Sequence, residues 1–258
     1  MRLEGKVAIV TGASRGLGEY TAVGLAQEGA AVVVAARTEK VQDPRLPGTI
    51  HDTVRAITAA GGRAIAVRCN VASEDDCTAL AEATVSEFGR IDILVNNAGI
   101  QAPGTMGSIQ PRHWELEFKV NVHGTFHCTR AVLPTMLSQR SGVIVNISSA
   151  AADTVGSGSG HYGVSKVAVE SLTRAFAVEV APSGIAVLAL KPKSAVETPG
   201  MRFAWAARGA EMPSDLPPKD DYVEAATILC TATPSVVTGE AFTDEQVIAR
   251  FGRGALLS

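Results

Sequence analysis

Short apolar runs alternate with longer segments of helical periodicity along most of this 258-residue chain. Each run is short enough for a single strand, and a connecting helix allows successive strands to lie parallel. We therefore predict an α/β fold: one doubly wound domain over residues 1–258, with about seven parallel strands and helices on both faces. The predicted strands are Val7–Val10, Ala31–Ala35, Ala64–Val67, Ile91–Val95, Val143–Ile147 and Ile185–Leu190. The predicted helices are Gly16–Glu28, Ile50–Ala60, Glu74–Phe88, Arg112–Leu137, Tyr162–Val180 and one near Tyr222–Ala232.

The composition is that of a compact globular protein, with 46% hydrophobic and 19% charged residues. The net charge of −3 comes without a basic run, so we expect neither nucleic acid nor an anionic membrane as a partner. No apolar run reaches the ~18 residues of a membrane span, and no signal-peptide core precedes the first strand. The four cysteines lack metal-ligand spacing and are typical of a reduced, cytoplasmic protein.

Two connections are longer than usual for a domain of this kind. Thr38–Thr49 contains two prolines, which indicates an ordered excursion over the surface. Pro192–Lys219 is longer and carries Phe203, Trp205 and Met212. A long irregular segment with apolar side chains is a candidate lid over a pocket, although a partner-binding or poorly ordered loop has the same composition.

A glycine-rich turn, Thr11–Gly18, joins the first strand to the first helix. Glycines allow the backbone to turn sharply there and to approach a pyrophosphate, whose charge the helix amino terminus favours. The spacing of Gly12, Gly16 and Gly18 differs from the commoner dinucleotide pattern, and such a turn can be purely structural. At the first crossover of an α/β chain, we interpret it as a nucleotide site.

The end of the second strand indicates which nucleotide binds. A carboxylate there would accept hydrogen bonds from the adenosine ribose and select NAD, but the chain has Arg37. A guanidinium suits a 2′-phosphate, and Arg15 in the glycine turn could supply a second cation. The sequence therefore favours NADP(H), with NAD(H) possible. Alternatively, both arginines are solvated, or one stacks on adenine without any phosphate.

Polar residues follow the fourth and fifth strands, at the sheet edge where ligands bind in such folds. Asn96–Gly99 follows the fourth strand; its small residues leave room for a ribose, and its asparagines could tie neighbouring strands together. Ser148 and Ser149 follow the fifth strand without a recognisable histidine and carboxylate, so a serine hydrolase is unsupported. His123 and His127 are four residues apart but lack a zinc motif, and we predict no metal.

Tyr162 and Lys166 are four residues apart at the start of a predicted helix, which places both side chains on one face. A free tyrosine has a pKa near ~10 and is a poor base at neutral pH, whereas a neighbouring ammonium favours the phenolate. By itself the pair is more simply explained by a half-buried tyrosine and a solvated lysine.

Taken together, Thr11–Gly18, Asn96–Gly99, Asn121, Ser149 and the Tyr162–Lys166 pair resemble the short-chain dehydrogenase/reductase family, over nearly the whole chain. The catalytic serine of that family lies 13 positions before its tyrosine, which selects Ser149 over Ser148. The resemblance implies a Rossmann-type domain and an oxidoreductase that moves a hydride between a nicotinamide and a carbonyl or secondary alcohol. Tyr162 would be the general acid/base, Ser149 would bind the carbonyl oxygen, Lys166 would stabilise the tyrosinate, and Asn121 would fix a bent helix and a proton-relaying water.

The same resemblance assigns the cofactor contacts. They are Gly12, Ser14, Arg15, Gly16, Leu17, Gly18, Arg37, Asn70, Val71, Asn97, Ala98, Gly99, Tyr162, Lys166, Pro192, Val196 and Thr198. Asn70 stands where many relatives have aspartate, and Lys193 stands where they have glycine. Leu46–Ile50, Pro192-Lys193 and Thr243–Glu245 are similar to the hydroxysteroid dehydrogenase-like branch.

Relatives form homodimers or homotetramers through helices that correspond to 112–137 and 162–180, and we expect one of these states. A redox sensor or scaffold that binds nucleotide without turnover is the alternative.

Overall fold

All the strands that the structure describes belong to one parallel sheet. The structure is a computed structural model that describes residues 1–154, 160–207, 211–212, 216 and 218–258. The sheet has seven strands in the order β3-β2-β1-β4-β5-β6-β7, so the chain winds outward from β1 in both directions. The strands are β1 Val7–Thr11, β2 Ala31–Ala36, β3 Arg63–Arg68, β4 Ile93–Asn96, β5 Gly142–Ile147, β6 Ile185–Lys191 and β7 Ala241–Thr243. The doubly wound α/β fold predicted from the alternation is confirmed.

Helices cover both faces of the sheet because the strand side chains alternate between two apolar layers. The helices within the described residues are α1 Gly16–Gln27, α2 Ile50–Ala59, α3 Glu74–Phe88, α4 Pro111–Phe118, α5 Gly124–Gln139, α6 Gly160–Val180, α7 Pro199–Ala207, α8 Asp220–Leu229 and α9 Asp244–Phe251. Val10 belongs to the layer under α1, α2, α8 and α9, whereas its neighbour Ile9 belongs to the layer under α3, α5 and α6. All four cysteines are buried and free.

The single helix predicted over residues 112–137 is interrupted. A π-helical turn, Lys119–His123, separates α4 from α5 and contains Asn121. Such a turn inserts an extra residue into the helix and is common at functional sites. The helix then passes close to Val71, where a Cβ on Gly124 would lie 2.6 Å from the valine Cγ2. The π-helical turn thus lies at Asn121, the residue at which the family resemblance implies a bend, and the alternation of apolar residues alone did not indicate it.

The carboxyl-terminal third contains three elements that the sequence reading did not place. β7 has only three residues, too few for a periodicity signal. α9 begins with a capping box, in which Thr243 and Gln246 each bind the other's backbone N–H, and this Thr-x-x-Gln signature was readable. α7 lies inside Pro192–Lys219, so the prediction of an irregular segment there is wrong over Pro199–Ala207. The Thr198 hydroxyl accepts from the Met201 N–H at 3.0 Å and Pro199 occupies the first turn, which together start α7.

Candidate active site

One cleft of about 790 Å³ opens at the carboxyl ends of the strands, the edge at which parallel α/β sheets bind ligands. Ser149 and every residue assigned to cofactor contact line it. Asn121 is buried behind the cleft wall. The structure thus brings together residues that are far apart in the sequence, from Gly12 to Thr198.

The glycine turn is shaped by contacts that a side chain would obstruct. Gly12 has φ +65° and Gly16 has φ +60°, in the left-handed region that favours glycine. A Cβ on Gly18 would lie 2.4 Å from the Asn97 Nδ2 and 2.5 Å from the Gly12 carbonyl oxygen. This close packing brings the amino terminus of α1 to the floor of the cleft. The turn can therefore cradle a pyrophosphate, with backbone N–H groups and the helix dipole facing it.

Two asparagines join the strand ends around this turn. The Asn97 side chain donates to the Thr11 carbonyl at 2.8 Å, and the Thr11 hydroxyl accepts from the Asn97 and Ala98 N–H groups at 3.1 Å. The Asn96 side chain donates to the Asn146 Oδ1 at 2.9 Å, which links β4 to β5. The predicted tie between neighbouring strands is confirmed. These bonds leave Ala98 and Gly99, the two small residues, as the surface that a ribose would contact.

Arg15 and Arg37 both line the cleft. Arg37 is exposed at the end of β2. The Arg15 Nη2 donates to the Gly48 carbonyl at 3.1 Å, while its Nε is buried and has no hydrogen-bond partner within the described ranges. Burial lowers the pKa of the Arg15 guanidinium. The excursion over Thr38–Thr49 thus folds back on the glycine turn, and Arg15 joins the two.

Tyr162 and Lys166 lie on the first turns of α6, as predicted. The Lys166 Nζ donates to the Ile147 carbonyl at 2.8 Å and lies 5.5 Å from the centroid of the Tyr162 ring. Lys166 is buried and Tyr162 is half-buried. Ser149 follows β5 as the cap of a short 3₁₀ turn, where its Oγ accepts from the Ala151 N–H at 3.2 Å. The three side chains line one wall of the cleft.

The electrostatics of this group differ from the sequence-based expectation. Burial raises the pKa of Tyr162 to about 12, although a hydrogen bond with Ser149 lowers it and the Glu117 carboxylate raises it further. Burial also lowers the pKa of Lys166 to about 8, against a raising effect of Glu117. The expected lowering of the phenol pKa by the ammonium is therefore wrong for the protein by itself. Desolvation outweighs charge attraction because both groups are surrounded by protein, and the Lys166 ammonium bonds a carbonyl rather than the phenol.

The two adjacent serines have different partners. The Ser148 hydroxyl donates to Glu170 at 2.7 Å, and the same carboxylate oxygen lies 3.3 Å from the Lys191 ammonium. Ser148 is 2% exposed, and its hydroxyl is committed to this buried network. The Ser149 hydroxyl instead accepts from the Ala151 N–H and lines the cleft with Tyr162. The geometry agrees with the selection of Ser149 that the family spacing made.

Asn121 uses its whole amide group to hold the segment that follows β4. Its Oδ1 accepts from the Ile100 N–H at 2.8 Å, and its Nδ2 donates to the Ile100 carbonyl at 2.9 Å and to the Ser165 hydroxyl at 3.0 Å. Gly99 separates Asn121 from Lys166, since a Cβ there would lie 3.4 Å from Oδ1 and 3.5 Å from Nζ. The structure therefore places Asn121 close to Lys166 without direct contact.

The segment predicted as a lid borders the cleft through α7. Val196, Thr198 and Phe203 line the cleft, and the Arg45 guanidinium lies 4.7 Å from the centroid of the Phe203 ring. Lys193 also lines the cleft, where its N–H donates to Asp244 at 2.9 Å and its Nζ lies 3.3 Å from Glu245. The parts of the predicted lid at residues 208–210, 213–215 and 217 lie outside the described residues.

Several residues that line the cleft were not assigned to the site from the sequence, among them Gln101 and Leu46. Gln101 lies two positions after Gly99, on the segment that Asn121 holds, and Leu46 lies in the Thr38–Thr49 excursion. The only sequence signal for these two residues is that they lie close to motifs already assigned to the site.

The described residues contain neither a membrane-spanning helix nor a cluster of metal ligands. Across the ranges that the structure covers, no helix is long and apolar enough to cross a membrane. Within the same ranges, no group of three histidine, cysteine, aspartate or glutamate side chains could hold a metal ion.

Comparison with known proteins agrees with this geometry. The family model for short chain dehydrogenases matches residues 6–208. A 3-oxoacyl-[acyl-carrier-protein] reductase of Synechocystis sp. is 41% identical over 191 residues, which cover 74% of this chain and 74% of that protein. A crystal structure from Burkholderia xenovorans, described as a short-chain dehydrogenase/reductase, has a TM-score of 0.83 at 30% identity and covers 96% of this chain and 98% of its own. A hydroxysteroid dehydrogenase structure from Escherichia coli has a TM-score of 0.79 at 31% identity and covers 94% and 96%.

These likenesses extend over most of the chain and agree with the seven-stranded parallel sheet and its glycine turn. The chain belongs to the short-chain dehydrogenase family of NAD(P)-dependent oxidoreductases.

Proposed function

We propose that the protein is an NADP(H)-dependent oxidoreductase that transfers a hydride between the nicotinamide and a carbonyl or secondary alcohol, with Tyr162 as the general acid/base. The observation that carries this proposal is the convergence of Ser149, Tyr162 and Lys166 on the cleft that the glycine turn floors. A protein that only sensed or stored the nucleotide would not need all three side chains at one wall.

Each residue has a task that follows from its position. When bound, the nicotinamide supplies or accepts the hydride. In reduction, the Tyr162 hydroxyl gives its proton to the carbonyl oxygen, and in oxidation the phenolate takes that proton back. The Ser149 hydroxyl, which lines the cleft with Tyr162, donates to the same oxygen as negative charge develops. The buried Lys166 ammonium stabilises the phenolate and holds the nicotinamide ribose.

The test of this function is a panel of carbonyls and alcohols followed by coenzyme absorbance, run with NADP(H) and with NAD(H). The panel should include partly apolar substrates, because Phe203 lines the cleft. It should also include 3-oxoacyl thioesters, since one relative is a 3-oxoacyl reductase. We expect turnover with NADPH. Tight nucleotide binding with complete inactivity across the panel would contradict it and favour the sensor.

Arg37 supports the preference for NADP(H). Its exposed guanidinium at the end of β2 can reach a 2′-phosphate, and Arg15 can contribute a second cation. We expect Arg37→Asp to weaken NADPH binding roughly 10- to 100-fold, the loss of a charged hydrogen bond. NADH binding should stay level or improve, because a carboxylate at this position accepts from the ribose hydroxyls.

Dissociation constants for both coenzymes, measured by fluorescence, check this expectation. Arg112→Asp is the matched control, since it makes the same charge change at an exposed position that does not line the cleft. Equal weakening of NADPH and NADH by Arg37→Asp would remove Arg37 from its proposed role.

We also propose a homodimer or homotetramer, assembled through α5 and α6, and a cytoplasmic location in keeping with the free cysteines. Apolar side chains on these helices are exposed: Phe126 37%, Leu137 43%, Val164 45%, Val167 47% and Val178 80%. The structural likeness to a hydroxysteroid dehydrogenase supports assignment to the branch of that name.

Adding charge to α6 should separate the subunits. We expect the double variant Val164→Glu, Val167→Glu to elute as a monomer, because two carboxylates would be buried without partners in the interface. Light scattering after gel filtration measures the mass. Val236→Glu is the control, since Val236 is 45% exposed outside these helices. An unchanged mass in the double variant would place the interface elsewhere.

A further inference from the structure

A fully buried histidine–glutamate pair lies beside the catalytic group and is not used by the chemistry described above. The His161 Nδ1 is 3.0 Å from the Glu117 Oε1 and 3.2 Å from Oε2, and both side chains are 0% exposed. His161 directly precedes Tyr162, and Glu117 lies in the last turn of α4, just before the π-helical turn of Asn121. Burying such groups is costly unless every polar atom is paired. A reason for their presence is therefore required.

All four polar atoms of the pair are paired, and two of them bind the backbone of one segment. The Glu117 Oε2 accepts from the Ala102 N–H at 2.7 Å, and the His161 Nε2 lies 3.0 Å from the Gly104 carbonyl oxygen. A carbonyl only accepts, so Nε2 carries a hydrogen. Nδ1 and the carboxylate then share a second hydrogen, because two acceptors would repel at 3.0 Å.

The segment Ile100–Gly104 is fastened, that is, held by hydrogen bonds from side chains of other elements, at every second residue. Asn121 binds both the N–H and the carbonyl of Ile100, Glu117 binds Ala102, and His161 binds Gly104. The holding side chains come from three elements: Asn121 from the π-helical turn, Glu117 from α4 and His161 from α6. Gln101, between two fastened residues, is exposed and lines the cleft together with Ser149 and Tyr162.

We propose that Glu117 and His161 are positioning residues that fix the register of Ile100–Gly104 against the catalytic helix, and that Gln101 is thereby presented as a specificity residue. Its amide both donates and accepts, so it would favour a substrate with a second polar group near the reacting carbonyl. The role of Gln101 rests on the proposed function, whereas the fastening of the segment does not.

The fastening is tested by amide hydrogen exchange at single-residue resolution. In Glu117→Leu we expect the Ala102 amide to exchange at least roughly tenfold faster, because it loses its acceptor. The Ile100 amide, held by Asn121, serves as the internal reference and should keep its protection. Glu117→Gln should restore protection, since its amide oxygen accepts from Ala102 and its NH₂ donates to the His161 Nδ1. Glu115→Leu is the matched control at an exposed position of α4.

The role of Gln101 is tested with two ketones of similar length: ethyl 3-oxobutanoate, which has an ester beside the ketone, and 2-heptanone, which does not. We expect Gln101→Leu to lower kcat/KM for the ester roughly tenfold, the loss of one hydrogen bond, and to leave 2-heptanone unchanged. Glu117→Leu should reduce the same preference and Glu117→Gln should restore it, with NADPH affinity unaltered in all variants.

Three results would overturn the proposal. Wild-type exchange at Ala102 in Glu117→Leu would show that the pair does not hold the segment. Equal impairment of Glu117→Gln and Glu117→Leu would show that hydrogen-bond geometry is not its contribution. An unchanged ketone preference in Gln101→Leu would remove Gln101. If wild-type protein binds NADPH but is inactive with both ketones and with the whole carbonyl and alcohol panel, then the proposed function and the role of Gln101 both fail, and the exchange measurement alone decides on the pair.

Discussion

Replacing Tyr162 with phenylalanine is expected to lower kcat for carbonyl reduction by ~10³-fold or more, near the upper part of what a positioned acid contributes. The substitution removes only the hydroxyl that gives its proton to the substrate oxygen. The ring remains in place on α6, and Lys166 keeps its bond to the Ile147 carbonyl. NADPH affinity should therefore change little. Single-turnover absorbance measures the chemical step, and fluorescence titration measures coenzyme binding.

The pH dependence gives this prediction a second readout. Burial holds the pKa of Tyr162 at about 12, so the phenol is protonated at neutral pH and is ready to act as an acid. Oxidation needs the phenolate, and its kcat/KM should rise roughly tenfold per pH unit from pH 6. The rise should become less steep near pH 8, because Lys166, with a pKa of about 8, then loses the charge that stabilises the phenolate.

Tyr162→Phe should lack this pH dependence altogether. Tyr20→Phe is a control, since that hydroxyl only donates to the Glu197 carbonyl at 3.3 Å. Turnover of Tyr162→Phe at the wild-type rate, with the wild-type pH profile, would exclude Tyr162 as the acid/base and leave the mechanism without a proton donor.

The pattern of apolar residues along the chain was sufficient to predict the sheet, because each strand and each helix shows its own period over a few neighbouring residues. β1 to β6 lie within two residues of the predicted runs at either end. The glycine turn could also be located, since Gly12 and Gly16 adopt positive φ and a side chain at Gly18 would clash. What failed has a physical reason as well: β7 is short, and its pairing with β6 is set by tertiary contact rather than by its own sequence.

The candidate site was predictable only in part. The step between Tyr162 and Lys166 is a local helical relation, and so it could be read directly. The partners of Ser148 and His161 lie 22 and 44 residues away, and no local pattern encodes such pairings. The rise in the Tyr162 pKa depends on how much protein surrounds the phenol, which a sequence does not specify. The relation between two site residues was thus predictable where it depends on their spacing in the sequence. Their distant partners and their pKa values were not, because these depend on tertiary contacts and burial.

The adjacent serines offer the sharpest separation of a chemical role from a structural one. We expect Ser149→Ala to lower kcat roughly 100-fold, the effect of removing one donor to a developing oxyanion. Coenzyme affinity should stay within the error of the measurement, since the Ser149 hydroxyl bonds the Ala151 N–H rather than the glycine turn. Single-turnover reduction and NADPH titration measure the two quantities.

Ser148→Ala is the matched comparison, because it removes the same atom one residue earlier in the chain. That hydroxyl is buried and donates to Glu170, so its loss should destabilise the fold by about 1 kcal/mol. Thermal unfolding should detect this change, while kcat remains close to the wild-type value. The reverse outcome, with turnover lost in Ser148→Ala and retained in Ser149→Ala, would assign the oxyanion donor to Ser148. The hydrogen bond to Glu170 would then have to break during catalysis, and because Lys191 lies 3.3 Å from that carboxylate, the network could keep its charge balance while the hydroxyl turned towards the substrate.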